Sequence, residues 1–232
     1  MSEMEHRAGS PSAAEQHEIG ELIVRGLPAT RAATISVLME TARVWTAGRE
    51  ETIYRQGEPV PLTLIVHGYG AFRRTTEDGH DLMLGVGEPG DLFGFSSMAS
   101  VQSSVELVAL TDCLVAQWPG AEIRKLAVDD PGLALRAAAS MAESLHAVIE
   151  RVEGFLHQDA RRRVVRILAR HRHLFFGESA VLTRAHLPSL VGTSREMTGR
   201  VLRQLEREGT ITRVGRAELR LLRPDRLGAD AA

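Results

Sequence analysis

The residues best suited to chemistry lie close together, in the stretch LTRAHLPSLVGTSREMTGRVLRQLEREGTI from Leu182 to Ile211. Arg195 and Arg200 carry guanidinium forks that can pair bidentately with guanine O6 and N7, and Glu196 carries a carboxylate that can accept from the amino group of cytosine. Each such contact is worth about 1–3 kcal/mol of discrimination between bases. Thr183, Ser194, Thr198 and Arg203 are donors of the kind that grip phosphate oxygens, which positions a protein on a duplex without reading its sequence. A second use is open to Glu196, because Thr193-Ser-Arg-Glu196 also fits a capping box in which the carboxylate serves the helix backbone. Capping and base reading are compatible.

These side chains need one helix to carry them and another to brace it. Thr183 can cap a short helix that stops at Gly192; a tight turn follows, and a second helix is predicted from about Ser194 to Glu208, with Gly209 ending it. Two short helices around a Gly-bearing turn make a helix-turn-helix. Leu187, Leu190, Val191, Val201, Leu202 and Leu205 supply the apolar face that joins the pair, which leaves Arg195, Glu196, Gly199, Arg200 and Arg203 for a major groove. Pro188 removes a backbone donor inside the first helix and crowds the carbonyl four residues back, so that helix begins late or bends. Beyond Gly209, the apolar/basic alternation of Ile211–Val214 and Glu218–Leu221 around Gly215-Arg216 predicts a hairpin wing beside the phosphates.

The charge distribution agrees. Residues 159–232 hold 16 Arg against 8 acids, whereas the rest holds 12 basic residues against 22 acids, so the overall net charge of −2 conceals a basic third on an acidic body. A polyanion partner is expected for that third alone. Ordinary hydrophobic content (44%) with no apolar run near the roughly 18 residues of a membrane span predicts a soluble, cytoplasmic protein with no membrane partner. Cys113 is the single cysteine, so the chain can build no internal disulfide and no multi-cysteine metal or iron–sulfur site by itself; it reads as a small buried hydrophobe on a strand.

Upstream, residues 1–17 mix Glu, His, Ser, Pro and Gly and read as a disordered arm, neither a signal peptide nor a stable element. Gly20 to Arg43 reads as one leading helix with Pro28 near its start. From Val44 to Trp118 short apolar runs punctuated by Gly (Leu62–Val66, Ala71–Arg73, Leu82–Val86, Leu107–Ala109, Leu114–Trp118) predict an antiparallel β-roll, with Glu77-Asp78-Gly79 as a hairpin loop. After Asp129-Asp130-Pro131 a long helix runs to about Leu156, and Ala134, Ala138, Met141, Leu145, Val148, Val152 and Phe155 follow a 4-3 alternation. So narrow a stripe suits a partner helix, and it predicts a homodimer seam, with Leu135 and Ile149 left to pack on the roll. Asp159 is a natural N-cap for the next helix. The expected architecture is α+β: a jelly-roll-like sensor domain over 18–130, a dimerisation helix and hinge over 131–158, and a winged helix-turn-helix over 159–232.

TSREMTGRVLRQLEREGTI resembles the recognition helix of the CRP/FNR family of transcriptional regulators, and GREETIYRQGEPVPLTLIVHGYGAFRRTTEDGHDLMLGVGEPGDLFG is similar to the cyclic-nucleotide-binding roll of that family. The resemblance runs from about Leu27 to Leu222. It implies a homodimer on double-stranded DNA, with Arg195, Glu196 and Arg200 reading palindromic TGTGA-like half-sites, and contact with RNA polymerase if the protein activates. Cyclic-AMP-binding relatives hold the cyclic phosphate with Gly-Glu and Arg-Ser and the base with Thr-Ser. Here Gly94-Phe95, Ser103-Ser104 and Val148-Ile149 stand in those places, each swap removing charge or polarity, so cyclic AMP is not expected at the usual site. Phe95, Ser103, Ser104, Val148 and Ile149 are the candidate effector pocket, for an apolar molecule, a cyclic dinucleotide held elsewhere, or nothing. Haem on His67 or His80 is a further option, and no cofactor is the leading expectation. No catalytic constellation or metal site stands out, so no enzyme is expected. The competing reading is a cupin-like metalloenzyme with a helical appendage, which would need clustered His and carboxylates; His67 and His80 are isolated, and His171 and His173 form a pair only in the arginine-rich helical region.

Overall fold

The computed structural model describes residues 11–79, 81–177, 179–215 and 217–229. Helix α1 (Ala13–Gly26) starts on Ser12, whose hydroxyl accepts from the Glu15 amide at 3.3 Å while the Glu15 carboxylate accepts from the Ser12 amide at 2.7 Å. This capping box carries the helix back into the segment expected to be an arm; residues 1–10 of that arm lie outside the described residues. The leading helix is therefore two helices. Pro28 sits in the turn between α1 and α2 (Ala32–Thr41), where a residue without an N–H interrupts neither backbone ladder.

Eight strands follow: β1 (Arg43–Ala47), β2 (Thr52–Tyr54), β3 (Leu62–His67), β4 (Gly70–Thr75), β5 (Asp81–Gly87), β6 (Leu92–Phe93), β7 (Glu106–Ala109) and β8 (Cys113–Trp118). They pair into two four-stranded sheets, ordered β1-β8-β3-β6 and β2-β7-β4-β5, which makes the expected roll. Both sheets contribute Trp45, Ile53, Tyr54, Ile65, Leu107 and Val115 to an inner core that Phe72 and Phe93 close by an edge-to-face contact at 4.8 Å. Alternate residues of β3 and β8 (Leu62, Leu64, Val66; Leu114, Ala116, Trp118) face the other way, into a second core built with the helices. Burial on both faces explains why these strands read as unbroken apolar runs.

Helix α3 (Gly120–Asp129) leads into α4 (Pro131–His157). Between them the buried Asp130 accepts from the amides of Arg31 (2.9 Å), Gly132 (2.9 Å) and Leu133 (3.3 Å), tying the starts of α2 and α4 together. The Thr34 hydroxyl and these amides hold its carboxyl below the usual range, outweighing its burial. Leu133 and Ala137 are the α4 residues buried in the core, whereas Leu135 (67% exposed) and Ile149 (50%) stand out in the single chain. The expectation that these two pack on the roll is thus corrected, because the buried face is set by Leu133 and Ala137, two positions along the helix from Leu135.

The chain forms two compact units, one comprising the residues up to Thr75 with Gly85–His146, the other Thr76–Leu84 with Ala147 onward. The second unit adds α5 (Ala160–Arg170), α6 (Arg172–Phe176), α7 (Leu187–Val191), α8 (Arg195–Arg207), the hairpin β9 (Ile211–Val214) and β10 (Glu218–Leu221), and α9 (Pro224–Ala229). Asp159 caps α5 by accepting from the Arg162 amide at 2.8 Å. Val164, Val165, Leu168, Phe175, Leu187 and Leu205 are fully buried at its centre.

Candidate nucleic-acid interface

The first helix of the pair begins late. α7 starts at Leu187 with Pro188 in its first turn, where the missing N–H has no intrahelical acceptor to lose. Thr183 does not cap it; its amide donates to His186 Nδ1 at 2.9 Å, and its carbonyl accepts from the His186 amide, which builds the turn before the helix. α7 stops at Gly192, whose φ of +67° favours glycine and whose added Cβ would stand 2.6 Å from the Phe155 ring. Phe155, expected on the dimer seam, therefore also packs on the helix-turn-helix turn.

Ser194 is the N-cap of α8, its hydroxyl accepting from the Met197 amide at 3.1 Å. The cap falls one residue later than the alternative box beginning at Thr193, so Glu196 is not used for capping; it pairs instead with Arg200 at 2.9 Å. Both partners are well exposed, and a surface pair of that kind is weak enough to open toward a base. Arg195, Glu196, Arg200 and Arg203 all lie exposed on α8, whereas Val201, Leu202 and Leu205 hold the opposite side in the core. Thr198 belongs to that buried side, only 2% exposed, with a hydroxyl that has no hydrogen-bond partner among the described residues. It is removed from the phosphate-contacting set, because Val201, Leu202 and Leu205 follow it at i+3, i+4 and i+7. Ser194 and Arg203 are exposed, and Thr183 is half-buried.

The wing is fixed to α8 by Arg213, which donates through Nε to Glu206 at 3.0 Å. That hydrogen bond lowers the Glu206 carboxyl and raises the Arg213 guanidinium from their ordinary values. Arg220 is exposed on β10, and Arg216 lies outside the described residues. An arginine-bearing helix braced by a second helix, with a basic hairpin beside it, is equipped to bind duplex DNA.

Known proteins match in the same two places. The cyclic nucleotide-binding domain family model matches residues 29–130, and the Crp-like helix-turn-helix domain model matches residues 150–229. The chain belongs to the CRP/FNR family. It is 29% identical over 183 residues to the cAMP-activated global transcriptional regulator Vfr of Pseudomonas aeruginosa, covering 73% of this chain and 84% of that protein. It is 28% identical over 176 residues to the cAMP-activated regulator CRP of Escherichia coli, covering 72% and 84%. Its fold is similar to that of FixK2 from Bradyrhizobium japonicum (TM-score 0.71, 23% identity, covering 82% of this chain and 98% of that one). This CRP/FNR protein is accordingly a DNA-binding transcriptional regulator and not an enzyme.

In the sensor unit of this CRP/FNR regulator the candidate effector residues Phe95, Ser103 and Ser104 stand in different surroundings. Phe95 opens a 3-10 turn after Gly94 and is buried in the core beneath Arg136, whose guanidinium lies 5.6 Å from the ring. Ser103 is buried and its hydroxyl donates to the Val105 carbonyl, while Ser104 is exposed. Val148 and Ile149 are exposed on the part of α4 that belongs to the other unit. A cavity of about 590 Å³ does open in the sensor unit, lined in part by Ile53, Tyr54, Val60, Ser97, Gln102 and Pro119, none of them in the expected set. Nothing periodic marked those residues, which come together from a strand, two loops, a 3-10 turn and a helix start. Of the histidines proposed for haem, His67 pairs with Glu18 at 3.1 Å and His80 lies outside the described residues. Among the described residues no three His, Cys, Asp or Glu side chains converge, and no helix is long and apolar enough to cross a membrane. Cys113 is buried in β8, and burial raises its thiol pKa.

Proposed function

We infer that this regulator binds near-palindromic duplex sites of the TGTGA kind as a homodimer, with Arg195, Glu196 and Arg200 of each copy reading bases while Ser194 and Arg203 grip phosphates. The observation that carries this reading is the outward face of α8, where those arginines stand exposed on a helix capped by Ser194. Dimerisation is supported by α4, on which every residue from 141 to 150 is exposed although Met141, Leu145 and Val148 are large and apolar. Ala138, Val152 and Phe155 extend the stripe, and a second copy offers the same stripe about a two-fold axis. Paired recognition helices then meet successive major grooves about 34 Å apart.

Cyclic AMP is not the effector in this reading. Phe95 is buried where a carboxylate would be needed, and Phe72 and Phe93 add apolar rings to the interior of the roll. The protein takes another effector or none, needs no cofactor, and contacts RNA polymerase if it activates. Its place is the cytoplasm, where its DNA is.

Electrophoretic shift with a TGTGA palindrome against a scrambled duplex, at moderate salt, is the test. Preference for the palindrome is expected; equal affinity would sink base reading. Sedimentation at micromolar concentration is expected to return a dimer. Calorimetry with cyclic AMP is expected to show no heat of binding.

A further inference from the structure

Helix α5 contains no acidic residue, and its arginines are unevenly placed. Arg161 pairs with Glu208 at 2.7 Å. Arg163, Arg166 and Arg170 follow one another at i, i+3 and i+7, on the side of the helix away from the buried Val164, Val165 and Leu168. This row meets the last turns of α4. Arg163 lies over the Phe155 ring at 5.3 Å. Arg166 comes so near the buried Gly154 that a Cβ there would stand 2.6 Å from its guanidinium nitrogen. One turn earlier on the same face of α4, Arg151 is half-buried and donates to the carbonyls of Met83 (2.9 Å), Leu84 (2.7 Å) and Leu190 (2.9 Å).

Those carbonyls take up three of the five N–H groups of Arg151 but not its charge. Among the described residues no carboxylate forms an ion pair with Arg151, Arg166 or Arg170. Glu153 lies at another angle around α4, and Glu150, at i,i+4 with Gly154, borders the face shared by Arg151, Gly154 and Phe155. Burial, followed by the fields of Arg170 and Arg166, lowers the Arg151 pKa from its ordinary value, the direction expected of cations gathered without a counter-charge.

We propose that Arg166 and Arg170, backed by Arg151, form a binding site for a phosphate-type oxyanion at the junction of α4 and α5. Guanidinium groups suit a phosphate through charge-assisted, bidentate hydrogen bonds, and an anion here relieves the mutual repulsion of three cations. Two sources carry this chemistry, a backbone phosphate of bound DNA and a phosphate group on a soluble small molecule. Arg151 holds the carbonyl of Leu190 near the end of α7, so the anion sits one side chain away from the helix that braces α8. The site is defined without the base-reading residues, and its first test contains no DNA, so its failure leaves the operator reading standing.

Thermal unfolding of the full chain in inorganic phosphate or pyrophosphate, against sodium chloride at equal ionic strength and pH, reads the site directly. Saturating phosphate is expected to raise Tm by about 2–4 °C, and Arg166→Gln with Arg170→Gln is expected to abolish the rise. No rise over chloride, or the same rise in the double variant, would overturn the proposal. Should the double variant fail to fold, Arg170→Gln alone, at an exposed position, is expected to cut the rise by about half; an undiminished rise would also overturn it. The salt dependence of DNA binding then distinguishes the sources. A slope reduced by about 1–2 in the double variant assigns the site to DNA phosphates, and an unchanged slope beside lost phosphate stabilisation assigns it to a soluble phosphate compound.

Discussion

On the outward face of α8, Arg195 and Arg203 stand exposed with no side-chain partner among the described residues, and Glu196 and Arg200 pair with each other. In the sensor unit the opposite holds: Phe72, Phe93 and Tyr54 are packed within the roll, and Phe95 is wholly buried on the helical side. A polar group held on a rigid helix and left unsatisfied by the protein is available to a partner, whereas an apolar ring without exposure is already committed to packing. The two regions should therefore fail differently, one in affinity and the other in stability.

The largest effect is expected at Phe95. Phe95→Ala should cost about 3–5 kcal/mol in urea or thermal unfolding. A cost under about 1 kcal/mol would make Phe95 a pocket wall rather than core and would break the contrast. On α8, Arg195→Ala and Arg200→Ala should each lose about 1–3 kcal/mol of binding to the preferred duplex, with Tm unchanged. Fluorescence anisotropy on preferred and scrambled duplexes checks this, and equal losses on both would mean that the arginines grip only phosphates. Ser194→Ala falls between the two classes, with about 1 kcal/mol of stability lost through the α8 N-cap.

The narrowest effect, confined to the acid limb of the pH dependence, belongs to Asp130, whose folded pKa is below its ordinary value. Its contribution is fully present above about pH 4, where the carboxylate is ionised both folded and unfolded, and is lost as pH falls through the folded pKa. Asp130→Asn should flatten the acid limb of a Tm-against-pH curve below about pH 4. An unaltered limb would place acid sensitivity elsewhere.

Legibility in the sequence followed the range of the signal. The cap at Asp159, the span of α4, the helix-turn-helix and the wing hairpin all lie in segments whose periodicity and end residues are contiguous. β1, β2 and β6 were not anticipated, since β2 and β6 have only three and two residues and β1 begins with Arg-Val-Trp. Nor was α3 anticipated. α1 carries Ile19, Leu22 and Ile23 at helical spacing, a readable signal hidden by the polar residues around it.

Which residues lie on α8, and which of its sides is apolar, follows from the order of amino acids alone, because both are set by a 3.6-residue period and local caps. Tertiary structure decided the rest. It chose Leu133 and Ala137 over Leu135 for the core, and brought Arg151 to carbonyls at Met83, Leu84 and Leu190. These outcomes depend on contacts between segments remote along the chain or on which face of a helix another element covers, and no local pattern encodes the position of a distant backbone carbonyl.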